Sequence, residues 1–180
     1  MTAAGVVEPM RSSAVLYGTA PAAALATLCF VRFGLEPRVW VAAYFAGVLA
    51  VLAAIDLERR ILPNRIVLPS AAAVLLANSA IEPSRSLEWT VAAVAAAAFL
   101  FLPLVADPAG IGMGDVKLGL LLGAGLGKGV AVGLVLGFLA VFPVALFIVL
   151  RRGSAGRRAT IPFGPFLAFG AVLALFAEGL

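Results

Sequence analysis

Seven apolar runs separated by short polar links dominate this chain. They cover residues 12–31, 39–55, 66–81, 88–106, 114–127, 129–150 and 161–177. A helix of about 20 apolar residues crosses the hydrocarbon core of a bilayer, and backbone exposed to lipid must satisfy its own hydrogen bonds. The pattern therefore predicts an all-α, polytopic membrane helix bundle with about seven transmembrane helices, within a range of about six to eight.

Two of the runs leave alternatives open. The run 12–31 follows Arg11 and is also compatible with the apolar core of a signal peptide. The run 114–127 is short and rich in glycine, which favours a tilted or partly re-entrant helix tucked among the others. We expect one membrane domain over residues 1–180, with 12–31 accessory and 39–177 as its core.

Glycines recur at four-residue intervals in the fifth and sixth runs. They form the series Gly119–Gly123–Gly127 and Gly129–Gly133–Gly137. Small residues at this spacing let helix backbones approach closely in lipid. A dinucleotide-binding fingerprint would need a preceding strand, and the sequence predicts none.

Composition narrows the chemistry that this chain can perform. It is 63% hydrophobic and 12% charged, with a mean hydropathy of +1.13, which argues against a soluble globule. Histidine is absent and Cys29 is the single cysteine, so a histidine triad, a disulfide framework and a cysteine-pair metal site are all excluded. We predict no metal and no cofactor, and any catalysis must use carboxylates, Lys, Ser, Thr or Tyr.

The basic residues indicate orientation in a membrane rather than binding to nucleic acid. The net charge is +4, but the cations lie in short links between apolar runs. With the N-terminus inside, nine cations face the cytoplasm: Arg11, Arg59, Arg60, Arg65, Lys117, Arg151, Arg152, Arg157 and Arg158. Four face outward: Arg32, Arg38, Arg85 and Lys128. This bias predicts a multi-pass inner-membrane protein with a cytoplasmic N-terminus and an odd number of spans.

Two of the three aspartates lie where chemistry is possible. Asp56 ends the second run and Asp115 opens the fifth, so both are predicted at the cytoplasmic membrane surface, whereas Asp107 reads as part of a turn. Two carboxylates sharing a partly desolvated site would hold one proton between them, so one activates water while the other polarises a scissile carbonyl. The simpler alternative is that each aspartate caps a helix or fixes topology. Gly112 and Gly114 beside Asp115 allow a substrate backbone to approach, or a sharp turn.

Three motifs give the chain a family resemblance. The segment Gly112–Leu118, which reads GMGDVKL, resembles the glycine-x-glycine-aspartate signature of the type IV prepilin leader peptidases. Asp56 followed by Pro63 and Asn64 is similar to the family's first catalytic aspartate and its downstream proline, and Ile161–Ala168 to its closing segment. The resemblance implies an aspartic endopeptidase that removes the basic leader of prepilins or pseudopilins at the cytoplasmic face, with Asp56 and Asp115 as the catalytic dyad.

Two departures refine the resemblance. The bifunctional family members carry an N-terminal domain with two cysteine pairs, and this chain has only Cys29, so we expect peptidase activity without N-methylation. Membrane proteases of the presenilin kind share the glycine-aspartate signature but pair it with Tyr-Asp and Pro-Ala-Leu. Here Ile55 precedes the first aspartate and Pro-Ala-Leu does not occur, which disfavours that branch.

Secondary roles and competing functions stay open at this point. Lys117 either influences the aspartates or anchors its helix at the headgroups, and the basic loop around 153–156 suits anionic lipids. A small ion- or proton-coupled transporter using the same aspartates is disfavoured, because transporter sites lie near the bilayer midplane and these aspartates lie at span ends. A non-catalytic membrane subunit of a pilus or secretion assembly is the other alternative.

Overall fold

The part of the chain that the structure describes is a bundle of seven α-helices. The computed structural model describes residues 13–106, 112–152 and 161–179, and within these residues there is no strand. The helices are α1 (Ser13–Phe33), α2 (Pro37–Arg59), α3 (Asn64–Ile81), α4 (Ser86–Ala106), α5 (Met113–Leu126), α6 (Val130–Arg152) and α7 (Gly164–Glu178). Two 3₁₀ turns, Pro83–Arg85 and Gly127–Gly129, precede α4 and α6.

The helices confirm the predicted helical membrane bundle but not the number of spans. Each predicted run overlaps one helix, and the predicted break between the fifth and sixth runs is the turn Gly127–Gly129. By length and composition, four described segments are able to cross a membrane: Pro37–Arg59, Asn64–Ile81, Pro83–Pro103 and Met113–Arg151. The last segment contains both α5 and α6. At 1.5 Å per residue α5 reaches only about 21 Å, which is short of the hydrocarbon thickness.

Helix α5 lies at the centre of the bundle, as its glycine-rich sequence predicts. It contacts α2, α3, α4, α6 and α7, and its buried face includes Leu118, Leu121 and Leu122. A Cβ atom added at Gly119 would lie 3.1 Å from the backbone of Ala96 on α4. Glycine thus lets α4 approach α5 closely, and the short helix α5 is enclosed by the helices around it.

Glycines also allow α6 and α7 to pack closely against each other. A Cβ atom at Gly137 would lie 3.1 Å from the carbonyl oxygen of Phe166, and one at Gly133 would lie 3.3 Å from Ala171 Cα. The predicted role of the glycine series in close helix packing is confirmed at these contacts.

Two polar contacts join helices inside the bundle, and many large apolar side chains face outward. Asn78 on α3 donates to the carbonyl oxygen of Ala124 on α5 at 3.0 Å, and the hydroxyl groups of Tyr44 and Ser70 lie 3.1 Å apart. Leu139 and Phe142 on α6 are among many large apolar side chains exposed on the outer surface. An apolar outer surface around an apolar core suits a helical protein whose solvent is lipid.

Antiparallel packing gives the bundle two ends. We call the end where α2 finishes and α5 and α7 begin the carboxylate end, because Asp56 and Asp115 lie there. The opposite end, where α2 begins and α5 and α7 finish, is the far end.

Candidate active site

Asp56 lies in the last turn of α2 and is 6% exposed. The helix ends at Arg60, which adopts the left-handed conformation with φ 54° and donates its N–H to the Asp56 carbonyl oxygen at 2.8 Å. This turn directs the chain through Leu62 and Pro63 across the carboxylate end of the bundle, and α3 begins immediately afterward at Asn64.

The Asp56 side chain binds the start of α7. The Gly164 N–H donates to Asp56 Oδ2 at 3.0 Å, across 108 positions of the sequence. Gly164 is the first residue of α7, so its N–H has no partner within the helix and carries the positive end of the helix dipole. A Cβ atom at Gly164 would lie only 2.8 Å from Oδ2, so no larger residue fits without moving the carboxylate.

Sequence reasoning missed this contact. Gly164 lies in the predicted run 161–177 and in the closing segment Ile161–Ala168, and α7 begins at this residue. The available signal was the glycine itself, placed between two prolines within the closing motif. Nothing in the sequence says which distant side chain its amide binds.

Asp115 occupies the first turn of α5, close to the N-cap residue Gly112. A backbone hydrogen bond joins Gly112 to the Asp115 carboxylate, which is the arrangement of an acidic side chain that caps its own helix. Asp115 is half-buried, and Asp56 is near enough for its charge to act on Asp115. The fold therefore brings together two carboxylates that are 59 positions apart in the chain.

The two signature glycines have different surroundings. A Cβ atom at Gly114 would lie 3.1 Å from Leu62 Cβ, so this glycine allows the link between α2 and α3 to pack against α5. At Gly112 the nearest atoms to an added Cβ are Asp115 Oδ2 at 3.8 Å and the Gly114 nitrogen at 3.9 Å. Of the two, Gly112 is the exposed residue and leaves space beside Asp115.

Lys117, Asn64 and Pro63 meet at the same end of the bundle. The Lys117 ammonium donates to Asn64 Oδ1 at 2.8 Å, which connects the N-terminal part of α5 to the first residue of α3. The Pro63 carbonyl oxygen accepts the N–H groups of Ile66 and Val67 at 2.9 and 3.1 Å, which closes the first turn of α3. The two roles weighed for Lys117 from sequence, an influence on the aspartates and anchoring at the headgroups, stay predictions.

Neither aspartate forms an ion pair with Lys or Arg in the part of the chain that the structure describes. Both carboxylates instead accept backbone N–H groups at helix starts, so the capping role weighed from sequence is part of their geometry.

No group of three His, Cys, Asp or Glu side chains suited to a metal occurs among the described residues. Asp107 and the basic loop 153–158 lie outside the described residues.

These features define a class: a helical membrane protein with two neighbouring carboxylates where α2, α5 and α7 meet. The sequence profile of the type IV leader peptidase family matches residues 43–150, a range that contains both aspartates. The chain is also 35% identical over 167 residues to the prepilin leader peptidase/N-methyltransferase of Bacillus subtilis (strain 168). That alignment covers 86% of this chain and 64% of the relative. No solved structure gives a significant match.

This chain belongs to the type IV leader peptidase family. The family resemblance predicted from the three motifs is thereby confirmed. The roles of Asp56, Asp115, Gly112, Gly114, Lys117, Pro63 and Asn64 stay predictions.

Proposed function

We propose that this protein is a membrane-embedded aspartic endopeptidase that cuts the basic leader from prepilin-like precursors, with Asp56 and Asp115 as its dyad. The ionised carboxylate accepts a proton from water, and the resulting hydroxide attacks the scissile carbonyl carbon. The protonated carboxylic acid donates a hydrogen bond to the carbonyl oxygen as negative charge develops there. Collapse of the tetrahedral intermediate, with a proton delivered to the leaving amine, releases the leader.

The observation that carries the proposal is the pairing of two carboxylates by separate helices. Asp56 Oδ2 is held by the Gly164 N–H, while Asp56 Oδ1 has no described partner. Backbone hydrogen bonds orient a carboxylate without supplying a counter-cation. Such a pair is free to share a proton, because a guanidinium would hold a carboxylate in its charged form.

The proposed membrane placement has the carboxylate end in the cytoplasm. Helix ends on this side carry Arg59, Arg60, Arg65, Lys117 and Arg151, in agreement with the positive-inside tendency. Seven crossings of the inner membrane, with α5 as a short crossing enclosed by other helices, would put the N-terminus inside and the C-terminus outside. We propose residues 1–180 as one domain, with its peptidase core in 39–177.

The proposed substrates are prepilin or pseudopilin precursors, in which a short basic leader precedes an apolar helix. In this arrangement the apolar helix lies in the lipid beside the bundle and the leader stays in the cytoplasm, so the cut falls at the membrane surface. The expected contact with anionic lipids and the absence of N-methylation stay predictions.

Co-expression with a prepilin-like precursor tests the proposal. Leader loss is followed by gel shift and mass spectrometry for the wild type, Asp56→Asn and Asp115→Asn, with Asp107→Asn as the matched control, since Asp107 is the third aspartate of the chain. We expect cleavage by the wild type and the control, and at least about a 100-fold loss in the other two variants. Normal cleavage by either dyad variant would contradict the mechanism and favour the capping role.

A further inference from the structure

A buried hydrogen bond ties the end of helix α5 to α3. Asn78 lies in the last turn of α3, its side chain is buried, and its Nδ2 donates to the Ala124 carbonyl oxygen at 3.0 Å. Ala124 lies in the last turn of α5, where carbonyl oxygens run out of partners within the helix. An unpaired amide inside an apolar bundle is costly, so the contact with Ala124 is what makes asparagine acceptable at this position.

A second hydrogen bond ties the start of α5 to the same helix. The Lys117 ammonium donates to Asn64 Oδ1 at 2.8 Å. Asn64 and Asn78 are 14 positions apart, which corresponds to about 21 Å along α3. Helices α3 and α5 both begin at the carboxylate end and therefore run in the same direction. Two contacts this far apart define how far α5 extends along α3 and how it is tilted against it.

Other described contacts hold α5 close to its neighbours without fixing its position along them. A Cβ atom added at Gly125 would lie 2.5 Å from the Phe45 ring, so α2 packs tightly against the end of α5. Apolar contacts of this kind have no direction, whereas a hydrogen bond depends on both distance and angle. The ion pairs that Arg38 and Arg85 form at the far end include no residue of α5. The hydrogen bonds from α3 are therefore the directional contacts that select one position of α5.

We propose that Asn78 is a positioning residue for the dyad, because its bond to Ala124 sets the position of α5 and, with it, that of Asp115. The inference rests on the proposed function. Asp115 lies nine positions before Ala124 on the same short helix, about 14 Å away, so the two residues move together. A shift of α5 by one residue's rise, about 1.5 Å, would move Asp115 relative to Asp56. A misplacement of this size slows a reaction strongly although the altered residue touches no substrate.

Cleavage kinetics of two matched variants test this role. Asn78→Leu removes the donor, and a cavity of about 250 Å³ beside Asn78 has room for the leucine. Ser70→Ala is the control, because it also removes a buried hydrogen bond of α3, but one made to Tyr44 on α2. For equal amounts of inserted protein, we expect Asn78→Leu to lower kcat at least about fivefold with KM within about twofold of the wild type. Ser70→Ala should change neither constant by more than about twofold.

Equal losses in both variants would overturn the proposal, since general loosening of α3 would then explain them. An unchanged kcat in Asn78→Leu, or a rise in KM in place of the fall in kcat, would overturn it as well. Asn78→Ala removes the same donor with a smaller side chain and replaces Asn78→Leu if that variant does not insert.

A distance measurement tests the position of α5 without any cleavage. Spin labels are attached to cysteines replacing Leu76 on α3 and Met113 at the start of α5, which are 69% and 51% exposed, in full-length protein carrying Cys29→Ala. Electron spin resonance should show the distance between the labels changing by at least about 1.5 Å in Asn78→Leu and staying constant in Ser70→Ala. A reduced kcat with an unchanged distance would overturn the positioning role. If the distance shifts as expected but the wild type never cuts a precursor, the proposed function fails and the positioning of α5 by Asn78 stands.

Discussion

Carboxylates at the two ends of the bundle have different partners: arginine side chains at one end and backbone N–H groups at the other. At the far end, Glu82 pairs with Arg38 and Arg85, and Glu88 accepts from Arg85 Nη2 at 2.8 Å. At the carboxylate end, Asp56 and Asp115 accept only backbone N–H groups among the described residues. A guanidinium keeps a carboxylate charged and occupied, whereas a helix amide orients it and leaves an oxygen available.

Under the proposed function, this difference distinguishes charged groups that hold helix ends together from acidic groups that take part in the reaction. The far-end network joins α2, the link after α3 and the start of α4, and Arg85 also lies 5.1 Å from the centre of the Trp89 ring. Its function is to fasten helix ends. The two aspartates also accept N–H groups at helix starts, but they place two acidic groups close together. This proximity is unfavourable for folding, and the proposed reaction, which needs both groups, accounts for it.

The largest contrast is expected from two glycines that each face a carboxylate. Gly164→Ala would place a Cβ 2.8 Å from Asp56 Oδ2 and displace the carboxylate, so we expect about a 10- to 100-fold loss of cleavage rate. Gly129→Ala approaches the flexible Glu178 side chain at the far end and should leave cleavage unchanged. Leader cleavage by membranes with equal amounts of inserted protein measures both. Similar rates for the two variants would contradict the distinction between the ends.

A smaller effect is expected from the lysines. Lys117→Met removes the hydrogen bond to Asn64 and loosens α5 relative to α3, so we expect cleavage to fall about threefold to tenfold. Lys128→Met is the matched change at the far end and should have no effect on cleavage. If Lys128→Met reduces cleavage as strongly as Lys117→Met, then basic charge in general matters and the specific contact does not.

The smallest effect is expected at the far-end ion pairs. Arg85→Gln should lower the free energy of unfolding by about 0.5–1 kcal/mol, since its partners are partly exposed and screened by water. Cleavage by the folded protein should stay at the wild-type rate. Thermal unfolding in detergent, with the leader assay alongside, measures both quantities. A loss of activity without a loss of stability would connect the far end to catalysis.

Most of the helices were predictable from the sequence, because an apolar run and the turn residues beside it are local features of the chain. The apolar run 39–55 corresponds to α2, and the glycines on either side of Lys128 correspond to the turn between α5 and α6. The partners of Asp56 were not predictable, because helical periodicity identifies a buried face but not the amide that a distant helix places against it. The Arg85–Glu88 contact had a visible signal in its three-residue spacing, but orientation charge was the only role considered for Arg85.

Whether Asp56 and Asp115 act as one unit is the central question. The most direct measurement is the cleavage rate of a synthetic precursor by purified wild type, Asp56→Asn, Asp115→Asn and the double variant, each checked for an unchanged fold. Residues that act as a unit are strongly non-additive, so we predict that the double variant is no slower than either single variant. Single variants that retain near-normal rates, or losses that multiply in the double variant, would contradict a shared dyad.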